Sequence, residues 1–135
     1  MKQIEIKAAI EKLIDTFLYA GKVSIELRKK GLIKEIKEDN TPVSNGDLEV
    51  NRILTEKINN LTPQIPIVSE ETSHNKSKKD LKNFWLIDPI DGTYDYINDL
   101  DEFTLNAGLI INNRAVAGII YLSLIHISEP TRPGI

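Results

Sequence analysis

The chain has 135 residues, 41% hydrophobic and 27% charged, with a formal net charge of −3, the profile of one ordinary globular domain. Its mild acidity and scattered Lys and Arg exclude the electrostatic footprint of a nucleic-acid-polymer binder, and its lack of cysteine excludes a disulfide framework and thiolate metal sites. No apolar run approaches spanning length and the charged amino terminus lacks a signal-peptide core, so no stable membrane insertion and a cytoplasmic location are expected.

Ile10, Leu13, Ile14, Phe17 and Leu18 fall at helical spacing, and the pattern extends through Val23 and Leu27. Arg28-Lys29-Lys30 followed by Gly31 is a helix stop, with cations at the negative end and glycine beyond. Residues 32–37 alternate in part and read as extended; Asp39-Asn40-Thr41-Pro42 reads as a loop, because the residue before proline disfavours helix. A second helix is expected from Ser44 to Asp47 onward, turning Val50, Ile53, Leu54, Ile58 and Leu61 inward. Asp47 there is either a capping acid, three residues after Ser44, or a catalytic one. Residues 65–69 read as a strand running into Glu70-Glu71, and the polar, lysine-rich residues 72–83 as a mobile surface loop that includes His74. Residues 104–111 and 115–121 are β-rich runs around Asn112-Asn113, a hairpin turn since Asn tolerates positive φ.

The most informative stretch is Trp85-Leu86-Ile87-Asp88-Pro89-Ile90-Asp91-Gly92-Thr93. It sets two carboxylates three residues apart, just after an apolar run that reads as a buried strand. Pro89 stiffens the turn, Gly92 removes a side chain where the backbone must approach something closely, and Thr93 opens a short helix. Two acids at a buried strand end repel each other unless a cation neutralises them. Hard oxygen ligands of this kind suit Mg²⁺, which commonly joins carboxylates to phosphate oxygens. The plain alternative is an Asp-Pro/Asp-Gly surface turn without chemistry. Glu70 and Glu71 equally read as solvated strand-end acids, and Thr93 as only an N-cap.

Trp85 to Thr93 resembles the signature of the inositol monophosphatase superfamily of Mg²⁺-dependent, lithium-sensitive phosphatases. The Ser69-Glu70-Glu71 pair and Asp47 stand upstream in the family's order. Pro66-Ile67-Val68-Ser69, Leu61-Thr62-Pro63 and Glu102-Phe103-Thr104-Leu105-Asn106 resemble its bacterial bisphosphate-nucleotidase branch. The resemblance implies an α/β layered sugar-phosphatase fold, long amino-terminal helices packed on a largely antiparallel sheet. It implies Mg²⁺ held by Glu70, Asp88, Asp91 and the Ile90 carbonyl, and an Asp47–Thr93 pair that deprotonates the attacking water. It further implies substrate contacts from Glu70, Ile90, Asp91, Gly92 and Thr93, with N–H groups of Gly92 and Thr93 facing the phosphate.

The implied reaction is hydrolysis of adenosine 3′,5′-bisphosphate, a by-product of sulfate activation, to AMP and phosphate, with inositol monophosphate as the alternative substrate. Tyr94-Asp95-Tyr96 departs from the branch's usual residues and weakens the substrate assignment more than the chemistry. The implied partners are a small phosphorylated nucleotide or sugar phosphate; oligomeric state is not readable.

A later Trp-Asp-x-Ala motif that completes the family's second metal site is absent from this sequence. The other reading is therefore an inactive fragment. Leu122 to Arg132 back-translates to a string resembling a transposon-type sequencing adapter, so the expected organisation is a domain over 1–121 and a non-native tail over 122–135, with His126 excluded as a ligand. The tail is expected to be irregular, and the native protein to continue past Tyr121.

Overall fold

The structure, a computed structural model, describes residues 2–71, 81–100 and 102–123. A long helix α1 (Gln3–Lys30) leads into strands β1 (Lys34–Ile36) and β2 (Pro42–Ser44), then helix α2 (Asn45–Leu61). Strands β3 (Ile67–Ser69) and β4 (Phe84–Asp91), helix α3 (Thr93–Ile97), and strands β5 (Phe103–Ile111) and β6 (Arg114–Ser123) follow. β1 and β2 form a separate antiparallel hairpin, while the main sheet runs β3-β4-β5-β6 with only the β3–β4 pair parallel. Two helices on one face of a mixed, mostly antiparallel sheet are the layered α/β architecture expected. Among the described residues, no helix is long and apolar enough to cross a membrane.

α1 buries Ala9, Leu13, Phe17, Ala20 and Ser24, a stripe that recurs every three or four residues. It ends at Gly31, whose φ of 96° no side chain adopts comfortably. Ile14 and Leu18 depart from the inward pattern, at 46% and 55% exposure. Each lies one position past a buried residue, and that step of about 100° carries it off the buried stripe. α2 buries Val50, Ile53, Leu54 and Ile58 as expected. These residues meet Trp85 and Ile87 of β4 and Leu105, Ala107 and Leu109 of β5 in one core. Inside that core, Trp85 Nε1 donates to Thr62 Oγ1 at 2.9 Å, so the indole is a packing element.

Asn112 and Asn113, at φ 52° and 64°, make the two-residue β5–β6 hairpin turn that their tolerance of positive φ suggests. β4 runs further than the apolar stretch 84–87. It continues through Pro89 because a register shift between Asp88 and Asp91 frees that position from the ladder, where proline is tolerated. Leu122 and Ser123 also continue β6, opposite Thr104 and Phe103, so the first two residues assigned to an irregular tail are regular strand. Leu122 is 60% exposed, so backbone pairing carries it, since a ladder accepts most side chains at its solvent side. The rest of that tail, 124–135, and most of the loop expected at 72–83 lie outside the described residues.

α3 is bound to the helices through Tyr96, which is fully buried. Its hydroxyl donates to the Ser24 carbonyl at 2.7 Å, and its ring meets Phe103 edge-on at 4.8 Å between centroids. A Cβ at Gly46 would overlap that hydroxyl and the ring edge. Gly46→Ala is therefore expected to destabilise the chain by roughly 2–3 kcal/mol through overpacking, read as a lowered urea midpoint. An unchanged midpoint would show that α2 and α3 are not wedged together here.

Candidate active site

Two parallel strands deliver the first acids. β3 pairs with β4 with Ser69 opposite Ile87, so the chain leaves both strands on the same side and Glu70-Glu71 emerge beside Asp88. The Glu70 N–H donates to the Ile87 carbonyl at 3.2 Å, extending the pairing by one residue. The irregularity after Asp88 then turns β4, and Gly92 in the left-handed region (φ 89°) starts α3. A Cβ on Gly92 would sit 2.8 Å from the Glu102 carbonyl oxygen. Both the angle and the crowding demand glycine.

The result is a cleft of about 240 Å³ lined by Glu70, Glu71, Asp88, Ile90, Asp91, Gly92, Thr93 and Tyr94, with Lys37, Asp39, Thr41 and Pro42 from the β1–β2 hairpin. Asp47 lies just beneath, wholly buried. Thr93 Oγ1 donates to Asp47 Oδ1 at 2.9 Å and shares its proton with the Ile90 carbonyl at 3.1 Å. The other Asp47 oxygen, Oδ2, accepts from the Ser44 N–H at 2.9 Å and from Ser44 Oγ at 2.6 Å. Asp47 thus caps α2 and contacts Thr93 at the same time. One oxygen closes a capping box at the start of α2, and the other faces Thr93.

Burial pushes the Asp88 carboxyl up to about 6, helped by the charges of Asp91, Glu70, Glu71 and Asp47. Glu71 is also raised by burial, against the pull of the Lys37 ammonium. A strand end where acids hinder one another's ionisation is short of positive charge. The donor set therefore fits a hard divalent cation: carboxylates from Glu70, Asp88 and Asp91, and a carbonyl at Ile90. Among the described residues no three acids already close on a common point. Glu70 and Asp91 line the cleft but stand exposed, so the cleft presents ligands without a finished cage.

The structure brings together Asp47, Glu70, Asp88, Ile90, Asp91, Gly92 and Thr93, every site residue expected from the sequence. α3 is the short helix expected, five residues and barely one turn, so its dipole adds little to the N–H groups of Gly92 and Thr93.

Two contributors were missed. Lys37 Nζ lies 3.5 Å from Glu71 Oε1. Asn51, buried on α2, accepts from Ser69 Oγ at 2.5 Å, and Ser69 Oγ accepts from the Glu71 N–H at 3.3 Å. Asn51 had a readable signal, a polar residue four after Asp47 on the stripe that carries Val50 and Leu54 inward. Lys37 had none, because its reach depends on how the hairpin folds back.

A model of the inositol monophosphatase family matches residues 5–127, past the boundary drawn at Tyr121. The 3′(2′),5′-bisphosphate nucleotidase CysQ of Haemophilus influenzae is 40% identical over 108 residues, covering 78% of this chain and 40% of that protein. The chain thus spans about 40% of the length of the curated relatives it matches. Among solved structures, the extragenic suppressor protein suhB of Bartonella henselae superposes with a TM-score of 0.73 at 23% identity, covering 86% of this chain and 44% of that one. An IMPase/NADP phosphatase complexed with Mg²⁺ and phosphate gives 0.71 at 22%, covering 84% and 44%. At these identities the structural matches speak for the fold.

Proposed function

The chain belongs to the inositol monophosphatase family, and from that premise we propose that it is the metal- and water-handling part of a cytoplasmic phosphomonoesterase. The substrate proposed is adenosine 3′,5′-bisphosphate, cleaved to AMP and phosphate, because the curated relatives matched at up to 40% identity are bisphosphate nucleotidases. The observation that carries the reading is the Thr93–Asp47 contact at 2.9 Å under an acid-lined cleft.

Glu70, Asp88, Asp91 and the Ile90 carbonyl would hold Mg²⁺, which is present with phosphate in one structural neighbour. When bound, the ion polarises phosphoryl oxygens and makes a nearby water more acidic. The Thr93 hydroxyl donates to Asp47 Oδ1, and it would accept a hydrogen bond from the attacking water and pass its own proton on to that oxygen. Ser44 occupies Asp47 Oδ2, so only Oδ1 is left to take the proton, and the pair has one direction of transfer. The N–H groups of Gly92 and Thr93 would donate to the phosphate oxygens, where fixed donors stabilise developing charge.

Phosphate release from adenosine 3′,5′-bisphosphate by a family-length protein carrying this segment tests the proposal. Turnover is expected with Mg²⁺, and its loss with chelator or Li⁺. Equal turnover in excess chelator would overturn the metal reading. A preference for inositol monophosphate would leave the chemistry standing and replace the substrate.

A further inference from the structure

Asn51 is a polar side chain on the inward stripe of α2, among Val50, Ile53 and Leu54, and only 4% exposed. Its Oδ1 takes the one proton of the Ser69 hydroxyl, itself 3% exposed. With that proton committed, the Ser69 oxygen keeps its lone pairs for acceptance, and it accepts from the Glu71 N–H at 3.3 Å. The corner where the chain leaves β3 is therefore tied on two sides. The Glu70 N–H is held by the Ile87 carbonyl of β4 at 3.2 Å, and the Glu71 N–H is held through Ser69 by α2.

We infer that Asn51 is a positioning residue, setting through Ser69 the angle at which Glu70 and Glu71 leave β3 to face the cation. The inference rests on the metal reading of the cleft and adds to it a residue that touches neither metal nor substrate. A buried amide among apolar neighbours costs stability unless it is hydrogen-bonded, and Asn51 gives its side-chain oxygen to the strand that carries the acids. A ligand corner held in place beforehand has less freedom to lose when an ion binds. Asp47 stands one turn earlier on the same helix, about 6 Å along its axis, and holds Thr93. α2 is thus a common frame for the two halves of the site, the water-handling pair and the metal-holding acids. The rival role is packing alone, Asn51 filling space between α2 and β3.

Mn²⁺ uptake by this chain, measured by calorimetry beside the urea midpoint of each variant, separates the two roles. Asn51→Ala and Ser69→Ala are each expected to weaken Mn²⁺ binding about tenfold. The double variant should be no more than about twofold weaker than either, because both residues act through one bond. Asn51→Leu keeps the bulk and suits the apolar stripe. It should therefore unfold near the wild-type midpoint, yet bind Mn²⁺ as weakly as Asn51→Ala.

Mn²⁺ affinity of Asn51→Leu within about twofold of wild type would overturn the inference. So would losses in the two single variants that multiply in the double, the mark of independent contributions. A wild type that takes up no Mn²⁺ would overturn the metal reading first and this inference with it.

Discussion

Thr93→Val and Asp47→Asn are each expected to cut the turnover of a family-length protein by about 10²–10⁴. Valine keeps the shape of threonine but removes the hydroxyl that stands 2.9 Å from Asp47 Oδ1. Asparagine keeps one oxygen and turns the other into a donor, so it cannot both accept from Ser44 and take a proton from Thr93. The difficulty is that Asp47 also caps α2, and a lost cap lowers activity by loosening the fold. Ser44→Ala resolves this. It removes the hydroxyl that bonds Asp47 at 2.6 Å and should cost about 1 kcal/mol of stability, while the Thr93 contact remains. Its turnover should drop less than about tenfold, with KM unchanged, if the pair rather than the cap drives the chemistry. If Ser44→Ala loses as much as Asp47→Asn, or Thr93→Val keeps turnover, Asp47 is a cap and the proposed proton path is wrong.

The same two residues show what the sequence could and could not reveal. Asp47 and Thr93 are 46 positions apart, and no local pattern pairs them; only the family's motif order suggested their meeting. Helix periodicity located α1 and α2 because a stripe of apolar residues needs no partner to be seen. The Asn112-Asn113 turn was legible for the same local reason. The reach of β4 through Pro89 was not, because whether a proline ends a strand or sits in a bulge depends on its neighbour, here β5. Ile14 and Leu18 misled in the same way: helical spacing fixes a face, but which edge of that face is covered is decided by the sheet. Lys37 entered the cleft only through the fold of the hairpin.

Asp88→Asn is expected to act in opposite directions on stability and on function. In a family-length protein it should remove most turnover, since an amide is a poor ligand for Mg²⁺ in place of a carboxylate. In the metal-free chain it should stabilise the fold, because the native carboxyl is pushed from 3.8 to about 6 by burial and by Asp91, Glu70, Glu71 and Asp47. A raised native pKa means that the folded state binds a proton the unfolded state has released. Stability from this group is full below about pH 4 and is lost as pH rises through about 6.

A shift of about two units is worth roughly 3 kcal/mol, but a half-buried group is screened, which brings the effect to roughly 1–2 kcal/mol. Asp39 and Glu49, whose carboxyls are lowered by Thr41 and Arg52, tilt the whole-chain profile the other way. The informative quantity is therefore the difference between Asp88→Asn and wild type. Thermal unfolding in chelator should show no difference near pH 4 and the mutant higher by about 5 °C above pH 7. Mg²⁺ should narrow the gap by stabilising wild type alone, since binding to the folded state adds stability by mass action. A mutant less stable than wild type at pH 7.5 without metal would mean the acids of the cleft do not strain against one another, and the case for a cation between them would fall.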